Sequence, residues 1–539
     1  MNNSLQVHEE TAANYFHKGN LLKQSEKLEE AVAAYLRCTE LNPDFSWYHH
    51  NLGEVLAKLG QQDRAEKSYR KACELNANSA WTWHNLGEVL QQQGNIDEAV
   101  AAYRKAVEIY PDFYEFHNSL GQALCLQGQL DESVSCLRKA IELDSESALP
   151  YQNLWEALAR LGRVDEGMDC LRRAMELNPG EGDLYLKLAE ALQGKNEFAE
   201  AVNYYRKALQ LKPDFHWLYY KLGTALSAQG QLEEAIAAYS KAAELEPGSA
   251  IVHHYLGHTL SIVQRWDEAI VSYRRAIELV PDAAIVYQHL GDALARLHKW
   301  EEAVETYGKS VEFDPNSLEA QDHLGFALYQ LGRWDKAIFS YRKALELSPN
   351  SDVVNSHLGD ALRQLGTQSN LDEAVSCYRK AIESNPSNLE VCQKAVELKP
   401  YDHESLLNLG VALSKQDRWE EASRMYRRSI DMQPNIFWTH HLLGDVLRAL
   451  EQWEGAITAY RRAIELNPDF SYTYNNLGDV FRHLGQWDKA LTVYSRAIEI
   501  QPNFADFHYH LGDVFCKKGL IDEASACYRR ALEVQPGLG

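Results

Sequence analysis

A fixed spacing of glycine residues constrains this chain more than any other feature of its sequence. Two further positions on the same period carry Trp155 and Ala189, and one interval, between Gly359 and Gly410, is longer than the others. A period of roughly 20 to 50 residues indicates one supersecondary unit copied along the chain, each copy burying its apolar face against the next. We therefore expect an array of repeats. The glycines on the 34-residue period are Gly19, Gly53, Gly87, Gly121, Gly223, Gly257, Gly291, Gly325, Gly359, Gly410, Gly444, Gly478 and Gly512.

One repeat, residues 471–504, shows what the unit is. Apolar residues recur at helical spacing over 471–484 and again over 487–501, and a short turn at Gly485 separates the two stretches. Pro502 follows the second stretch and lacks the N–H that a continuing helix would need. The sequence therefore predicts a helical hairpin, helix A followed by an antiparallel helix B.

Three further positions complete the pattern when the repeated glycine is numbered 8 of 34. Position 20 is mostly alanine, position 32 is mostly proline, and position 24 is mostly a tyrosine whose ring is expected to fill the gap between neighbouring repeats. The tyrosines are Tyr35, Tyr69, Tyr103, Tyr205, Tyr239, Tyr273, Tyr307, Tyr341, Tyr378, Tyr426, Tyr460, Tyr494 and Tyr528. Over roughly residues 12 to 538 this arrangement closely resembles the tetratricopeptide repeat. The resemblance implies an all-α fold, a right-handed superhelical solenoid of antiparallel helix pairs.

The long interval predicts how the array is divided. Three residues are added near the turn 366–370, and 389–402 matches the end of a helix B without its helix A, with Ala395 and Pro400 at positions 27 and 32. We therefore expect an N-terminal tail at 1–11, a block of eleven repeats at 12–388, an orphan half-repeat seam at 389–402, and a block of four repeats at 403–538. One extra helix would reverse the direction of every helix after it, so the segment lies outside the stack or the array bends there.

The fifth repeat departs from the pattern at two positions together. Trp155 replaces the glycine of position 8, and Gly167 replaces the alanine of position 20. Bulk added on helix A is thus matched by bulk removed from helix B. Because volume-conserving exchanges are tolerated better than overpacking, the pair is expected to be compensatory.

Composition narrows the class of partner. The formal net charge is -23 and the pI is about 5.3, which argues against a nucleic-acid backbone or an anionic membrane as the main partner. We expect a neutral or basic protein or peptide partner. No 18-residue apolar run or basic, apolar leader is present, so a cytoplasmic location is predicted.

Polar side chains recur at position 6 of helix A, which lines the inner, concave groove in proteins of this family. An amide offers both a donor and an acceptor, so a row of them could bind the backbone of an extended peptide. The row resembles the asparagine ladder in the repeats of the O-linked N-acetylglucosamine transferases, although Ser119, Lys187, Lys221, Tyr255 and Leu442 interrupt it. A solvated polar face without a ligand is the alternative. The candidate residues at position 6 are Asn51, Asn85, Asn153, Asn408, Asn476, His289, His323 and His357.

Carboxylates and tryptophans accompany the N-terminal part of this row. Position 9 carries Glu54 and Glu88, and position 2 carries Trp47, Trp81 and Trp217. Several later repeats have an arginine three residues after the position-9 acid, a spacing that lets the two side chains meet. The N-terminal groove should therefore be the more acidic, and a basic segment with apolar anchors would fit it.

Other recurring residues are expected to be structural. Tryptophans at position 17, the start of helix B, should pack over the helix entrance, because aromatic rings bury large areas wherever they recur at one structural phase. They are Trp266, Trp300, Trp334, Trp419, Trp453 and Trp487. The nine cysteines contain no CxxC, and the four at position 23 of helix B are expected to be small buried side chains rather than a disulfide framework; they are Cys136, Cys170, Cys377 and Cys527.

The sequence contains no recognisable catalytic motif. No nucleotide-binding glycine loop, nucleophile elbow or metalloprotease motif occurs, and His253, His254 and His258 lack a neighbouring thiolate or carboxylate to complete a metal site. We expect a non-enzymatic scaffold, without cofactor or metal, that binds an extended peptide or partner protein in the concave groove. The alternative is a substrate-recruiting arm of a larger enzyme, such as a glycosyltransferase, whose catalytic domain lies outside these residues. Because the sequence stops directly after a helix B, self-association through the last repeat is also expected.

Overall fold

The computed structural model describes residues 2–535, with side chains from Thr11 onward. Over that range the chain forms 31 helices and no strand. The helices are α1 (Asn2–Gln24), α2 (Leu28–Leu41), α3 (Ser46–Lys58), α4 (Gln62–Leu75), α5 (Ala80–Gln92), α6 (Ile96–Ile109), α7 (Tyr114–Gln127), α8 (Leu130–Leu143), α9 (Ala148–Arg160), α10 (Val164–Leu177), α11 (Gly182–Gly194), α12 (Phe198–Leu211), α13 (His216–Ala228), α14 (Leu232–Leu245), α15 (Ala250–Ile262), α16 (Trp266–Leu279), α17 (Ala284–Arg296), α18 (Trp300–Phe313), α19 (Leu318–Gln330), α20 (Trp334–Leu347), α21 (Asp352–Leu365), α22 (Gln368–Ser384), α23 (Leu389–Leu398), α24 (His403–Ser414), α25 (Trp419–Met432), α26 (Phe437–Ala449), α27 (Trp453–Leu466), α28 (Ser471–His483), α29 (Trp487–Ile500), α30 (Ala505–Lys517) and α31 (Ile521–Val534).

Successive helices pack in pairs within each of two compact units, which divide between Thr259 and Leu260, inside α15. In the first unit the pairs run from α1 with α2 to α13 with α14. In the second unit α17 to α22 form three pairs, and α24 to α31 form four. This confirms the predicted all-α array of helix pairs.

The position-8 glycine makes room for the position-24 tyrosine of its own repeat. A Cβ on Gly291 would lie 2.5 Å from Cε1 of Tyr307, and a Cβ on Gly87 would lie 2.7 Å from the same atom of Tyr103. Tyr103 and Tyr307 are almost fully buried. The ring therefore fills a hollow inside its own repeat, rather than only the gap between repeats that the sequence predicted. Its outer edge still contacts the next repeat, since Tyr307 lies 5.6 Å from the His323 ring.

The fifth repeat shows the predicted exchange of volumes. A Cβ on Gly167 would lie 2.6 Å from Cε3 of Trp155, so the indole occupies the space that an alanine would need. The missing side chain on α10 and the added ring on α9 are therefore two halves of one packing arrangement.

The structure describes the backbone of the N-terminal end of the chain more completely than that of the C-terminal end. Helix α1 begins at Asn2, so the segment 1–11, predicted to be a tail, is helical wherever the structure describes it. Pro536 to Gly539, on which the expectation of an uncapped end rests, lie outside the described residues. None of the described helices has the length and apolarity that crossing a bilayer requires.

The extra segment after residue 388 forms the single short helix α23. Val391, Cys392 and Ala395 on it are buried in the core of the second unit, which continues through α23 from α19 to α30. The orphan helix therefore lies within the stack. Whether this segment divides the array into two blocks stays a prediction.

An ion pair connects α23 with α21. Lys394 Nζ lies 2.9 Å from Oδ2 of Asp360 on α21, the contact that a position-6 side chain makes with the position-9 carboxylate of the repeat before it. Asn476 makes the same contact with Asp445 in the last block. Lys394 of α23 thus makes a contact that is otherwise typical of position 6 in a helix A. The C-terminal end of α23 has the geometry of a helix B, because the backbone N–H of Lys399 donates to the Ala395 carbonyl at φ -129° and ψ 78°, as Gln433 donates to Ser429 at the end of α25. That 389–402 is the end of a helix B therefore stays a prediction.

Candidate functional site: the helix A face

The candidate site is the face of the A helices formed by positions 2, 6 and 9, here called the helix A face. Positions 2, 6 and 9 lie about one turn apart along a helix, so their side chains share one side. The structure shows how the predicted residues on this face are engaged.

Two position-6 side chains in the second unit, Asn476 and His323, contact the position-9 carboxylate of the preceding repeat. Nδ2 of Asn476 donates to Oδ1 of Asp445 over 2.8 Å, and Nδ1 of His323 lies 2.9 Å from Oδ1 of Asp292. The same carboxylates accept the hydroxyl of the position-24 tyrosine, as Asp292 does from Tyr307 at 2.7 Å. Positions 6 and 9, which the sequence presented as two independent rows, are thus connected in these two pairs of neighbouring repeats.

The remaining predicted asparagines are engaged to different degrees. Asn51 is buried and donates to the backbone carbonyl of Trp47, so its amide is used within its own helix. Asn153 donates to Oδ1 of Asn118 over 2.8 Å, and Asn85 makes a longer contact of 3.4 Å with the Tyr69 hydroxyl. Asn408, half-buried, makes no hydrogen bond to any other described residue.

His323 and His357 are each paired with an aspartate. His357 Nδ1 lies 2.8 Å from Oδ1 of Asp322, and His289 packs with its ring 6.0 Å from that of Tyr273. For His323, burial lowers the pKa, but the hydrogen-bonding contact and charge of Asp292 outweigh it, and the net pKa is raised. For Asp292, burial raises the pKa, but the contacts with His323 and with a tyrosine hydroxyl outweigh it, and the net pKa is lowered. These imidazoles hold successive repeats together.

Aromatic surface is exposed at the N-terminal end of the helix A face. Trp47 and Trp81 are 44% and 45% exposed although they belong to the repeat pattern. The Trp47 ring stacks on His50 at 4.4 Å, and Trp81 meets Phe113 edge-on at 4.9 Å. Both indoles are held in place and still offer nearly half of their surface.

Trp217, the third predicted anchor, is already covered. The Lys221 ammonium lies 5.3 Å from the centre of its ring, and the same ammonium pairs with Glu190 at 2.9 Å. Lys221 on α13 therefore covers the indole of its own helix and pairs with the carboxylate of α11 in the repeat before it.

The two predicted glutamates are in different electrostatic states. Glu54 pairs with Lys23 and, at 3.3 Å, with Lys58. Burial favours its neutral form, but the hydrogen bonds and charges of these lysines outweigh that effect and lower the pKa of Glu54. Its charge is therefore neutralised internally.

Glu88 has no cation partner among the described residues. Desolvation in the groove wall, and then repulsion from Glu115, raise the pKa of Glu88. Glu115 itself accepts a hydrogen bond from Tyr114 at 3.3 Å but has no cation beside it. The carboxylates without a cation partner at the N-terminal end of the helix A face are thus Glu88, on the same helix α5 as Trp81, and Glu115 on α7.

The second unit contains a cleft that the sequence analysis did not predict. It has a volume of about 630 Å³, and the position-17 residues Trp266 and Trp300 form part of its wall with Asp292 and Phe326. Arg296 lies 5.9 Å from the centre of the Trp266 ring. The sequence assigned these tryptophans to packing alone, because position 17 opens helix B and gave no sign that its ring reaches the helix A face.

The described residues contain no group of three or more histidine, cysteine, aspartate or glutamate side chains arranged to hold a metal ion. All nine cysteines, each within the described range, are free thiols. Burial raises the pKa of Cys136, Cys170 and Cys377 to about 11, so these thiols stay protonated at neutral pH.

Family models recognise the repeats along both units. The model of the "Cilia and flagella-associated protein 70 C-terminal domain" matches residues 46–254. Models of the tetratricopeptide repeat match 19–60, 248–316, 318–351, 354–388, 404–433, 444–482, 478–519 and 505–537. The chain is therefore a scaffold built of tetratricopeptide repeats, a class that serves protein–protein interaction.

Solved structures with similar repeats include three proteins. YrrB, described as a TPR protein with an unusual peptide-binding site, is 26% identical, with a TM-score of 0.32, over 34% of this chain and 95% of its own. MamA is 27% identical, with a TM-score of 0.25, over 33% of this chain and 95% of its own. Yeast Tom70 is 18% identical, with a TM-score of 0.30, over 82% of this chain and 96% of its own. No curated protein matches the chain.

Proposed function

We propose that the chain is a non-enzymatic scaffold that binds an extended, basic segment of a partner protein on the N-terminal helix A face. The observation that carries the proposal is the combination of two half-exposed indoles, Trp47 and Trp81, with the cation-free carboxylates of Glu88 and Glu115. Elsewhere on the helix A face the acids already have internal partners, as Glu54 and Glu190 do.

The chemistry of this face matches a lysine- or arginine-rich segment. A guanidinium or ammonium over an indole face gains from the ring quadrupole, and a carboxylate beside it adds a charge-assisted hydrogen bond. A cation next to Glu88 would also relieve the repulsion from Glu115 that raises the pKa of Glu88. Binding should therefore release protons and weaken as the pH falls toward the pKa of Glu88.

The test uses fluorescence polarisation of a labelled peptide of alternating arginine and leucine, with the full-length chain. The combined variant Trp81→Ala, Glu88→Gln should lose about tenfold in affinity, since removing about 1.4 kcal/mol has that effect. The matched control is Trp217→Ala, Glu190→Gln, which changes the same residue types at the same repeat positions where Lys221 already occupies both. It should change affinity by less than about twofold.

Equal losses in the two combined variants would show that binding follows overall charge rather than the N-terminal helix A face, and would refute the proposal. The natural partner would then be sought by comparing proteins captured by the wild-type chain with those captured by the combined variant. The alternative, a recruiting arm of a larger enzyme, stays a prediction that the mass of the natural gene product would test.

A further inference from the structure

A recurrent ion pair connects the B helices of successive repeats. An arginine at position 25 of one helix B meets a glutamate at position 19 of the next, as Arg104 meets Glu132 at 2.8 Å and Arg274 meets Glu302 at 2.6 Å. Four further pairs repeat it: Arg70 with Glu98, Arg138 with Glu166, Arg206 with Glu234, and Arg342 with Glu373. The array therefore contains six ion pairs between a position-25 arginine and the position-19 glutamate of the next repeat.

The pair is broken between α25 and α27. Arg427 stands at position 25 of α25, but position 19 of α27 is Gly455. In the next repeat Arg461 faces a position held by Lys489, which is again not an acid. Within the described part of the chain, neither Arg427 nor Arg461 forms an ion pair or a hydrogen bond.

The missing side chain opens a cleft of about 890 Å³ between α25 and α27. Its floor is apolar and comes from α26, where Leu443 and Leu447 are 8% and 3% exposed. A Cβ on Gly455 would lie 3.2 Å from Cδ1 of Leu447, so this glycine borders the floor directly. Arg427 lies on the opposite wall of the same cleft.

We propose that this cleft binds an acidic segment of a partner protein, in which one glutamate takes the place of the missing position-19 glutamate beside Arg427 and a neighbouring leucine covers Leu443 and Leu447. The cleft favours a segment that places one carboxylate beside Arg427. A strongly anionic segment would be repelled, because Asp431 and Glu454 also line the cleft. The cleft combines this apolar floor with a charged rim, in which Arg462 is already paired with Glu465 at 2.8 Å, and its size is that of an ordinary ligand site. It lies on the helix B side and is separate from the helix A face.

The binding experiment uses the full-length chain and a fluorescein-labelled, C-terminally amidated peptide with one glutamate between leucines. Saturable binding is expected, and replacing the glutamate by glutamine in the peptide should weaken it about tenfold or more, because a charge-assisted hydrogen bond to Arg427 is lost. A second peptide, with glutamine in place of glutamate and a free C-terminal carboxylate, distinguishes a chain end from an internal glutamate. Tighter binding of that peptide would overturn the proposed occupant.

Two variants of the chain test the location. Gly455→Glu supplies the missing glutamate from within, as six other repeats do, and should abolish peptide binding while the helical circular dichroism stays unchanged. Arg427→Gln should weaken binding about tenfold. The matched control is Arg274→Gln, at the same repeat position but already paired with Glu302, and it should leave the affinity unaltered. The absence of saturable binding by the wild-type chain, or undiminished binding by Gly455→Glu, would overturn the inference.

Discussion

The contact between Gly167 and Trp155 allows a prediction in which one substitution changes the sign of its effect. In the wild-type chain, the Cβ of Gly167→Ala would lie 2.6 Å from Cε3 and 3.1 Å from Cζ3 of Trp155. Carbon atoms pack best at about 3.5 to 4.0 Å. The indole must therefore move by about 1 Å, and overpacking of this kind costs about 1 to 3 kcal/mol.

Helix propensity acts in the opposite direction. Alanine is better than glycine in a helix interior by about 0.8 to 1.0 kcal/mol. The sum predicts that Gly167→Ala destabilises the fifth repeat by up to about 2 kcal/mol in the wild-type chain. In a Trp155→Ala background the clash is gone, so the same substitution should stabilise the repeat by up to about 1 kcal/mol.

The assay is hydrogen–deuterium exchange over 148–177, which reports local opening of α9 and α10 in the full-length chain. Local exchange is preferable to a global melting curve, because long repeat arrays do not unfold in a two-state manner. Gly308→Ala is the control, since a Cβ there meets nothing within 4 Å inside the helical segment of α18. It should slow exchange in its own repeat.

The reasoning is refuted if Gly167→Ala slows exchange in the wild-type chain as Gly308→Ala does. It is also refuted if its effect is the same with Trp155 as with alanine at position 155, because the two sites would then be uncoupled.

Three further outcomes are expected. The advantage of wild type over His323→Gln in protection of α19 against hydrogen exchange, compared at equal pH, should shrink as the pH rises above the unfolded histidine pKa of about 6.5, because a raised histidine pKa contributes stability that is lost as the pH rises through it; below the unfolded aspartate pKa of about 3.9 the advantage should shrink again, since the pKa of Asp292 is lowered. Gly291→Ala should destabilise α17 and α18 by about 1 to 3 kcal/mol, because its Cβ would lie 2.5 Å from Tyr307; unchanged exchange there would contradict this. Asp402→Ala should cost about 1 kcal/mol and speed exchange at the start of α24, whose backbone N–H it caps at 2.8 Å; an exchange rate equal to wild type would show that the cap is dispensable.

Much of the local fold could be predicted from the sequence, because a helix and its turn are set by residues close along the chain. The spacing of Gly478 and the proline at 502 predicts one helix pair, and α28 and α29 form it. The matched substitutions Trp155 and Gly167 predicted their own contact, since each departs from the pattern at a position that faces the other.

The state of the candidate site depended on contacts that a period does not specify. Asn51 and Asn85 occupy the same repeat position, yet one is buried against its own helix and the other reaches a tyrosine. Glu54 and Glu88 differ in the same way, because Lys23 reaches only the first. Lys23 and Glu54 are 31 residues apart, in successive repeats. Whether such side chains meet depends on how one helix pair is rotated and shifted relative to the next, which the local sequence does not encode.

The sequence by itself determined that this chain is a stack of helix pairs, because its 34-residue period places small and large residues at fixed helical phases. Only the tertiary structure decided which charges remain unpaired, at Glu88 on the helix A face and at Arg427 beside Gly455. It also decided that Lys394 of the short helix α23 pairs with Asp360 of α21. The physical reason is that a repeat fixes positions within a pair, whereas pairing between repeats depends on the rotation and translation of whole helices.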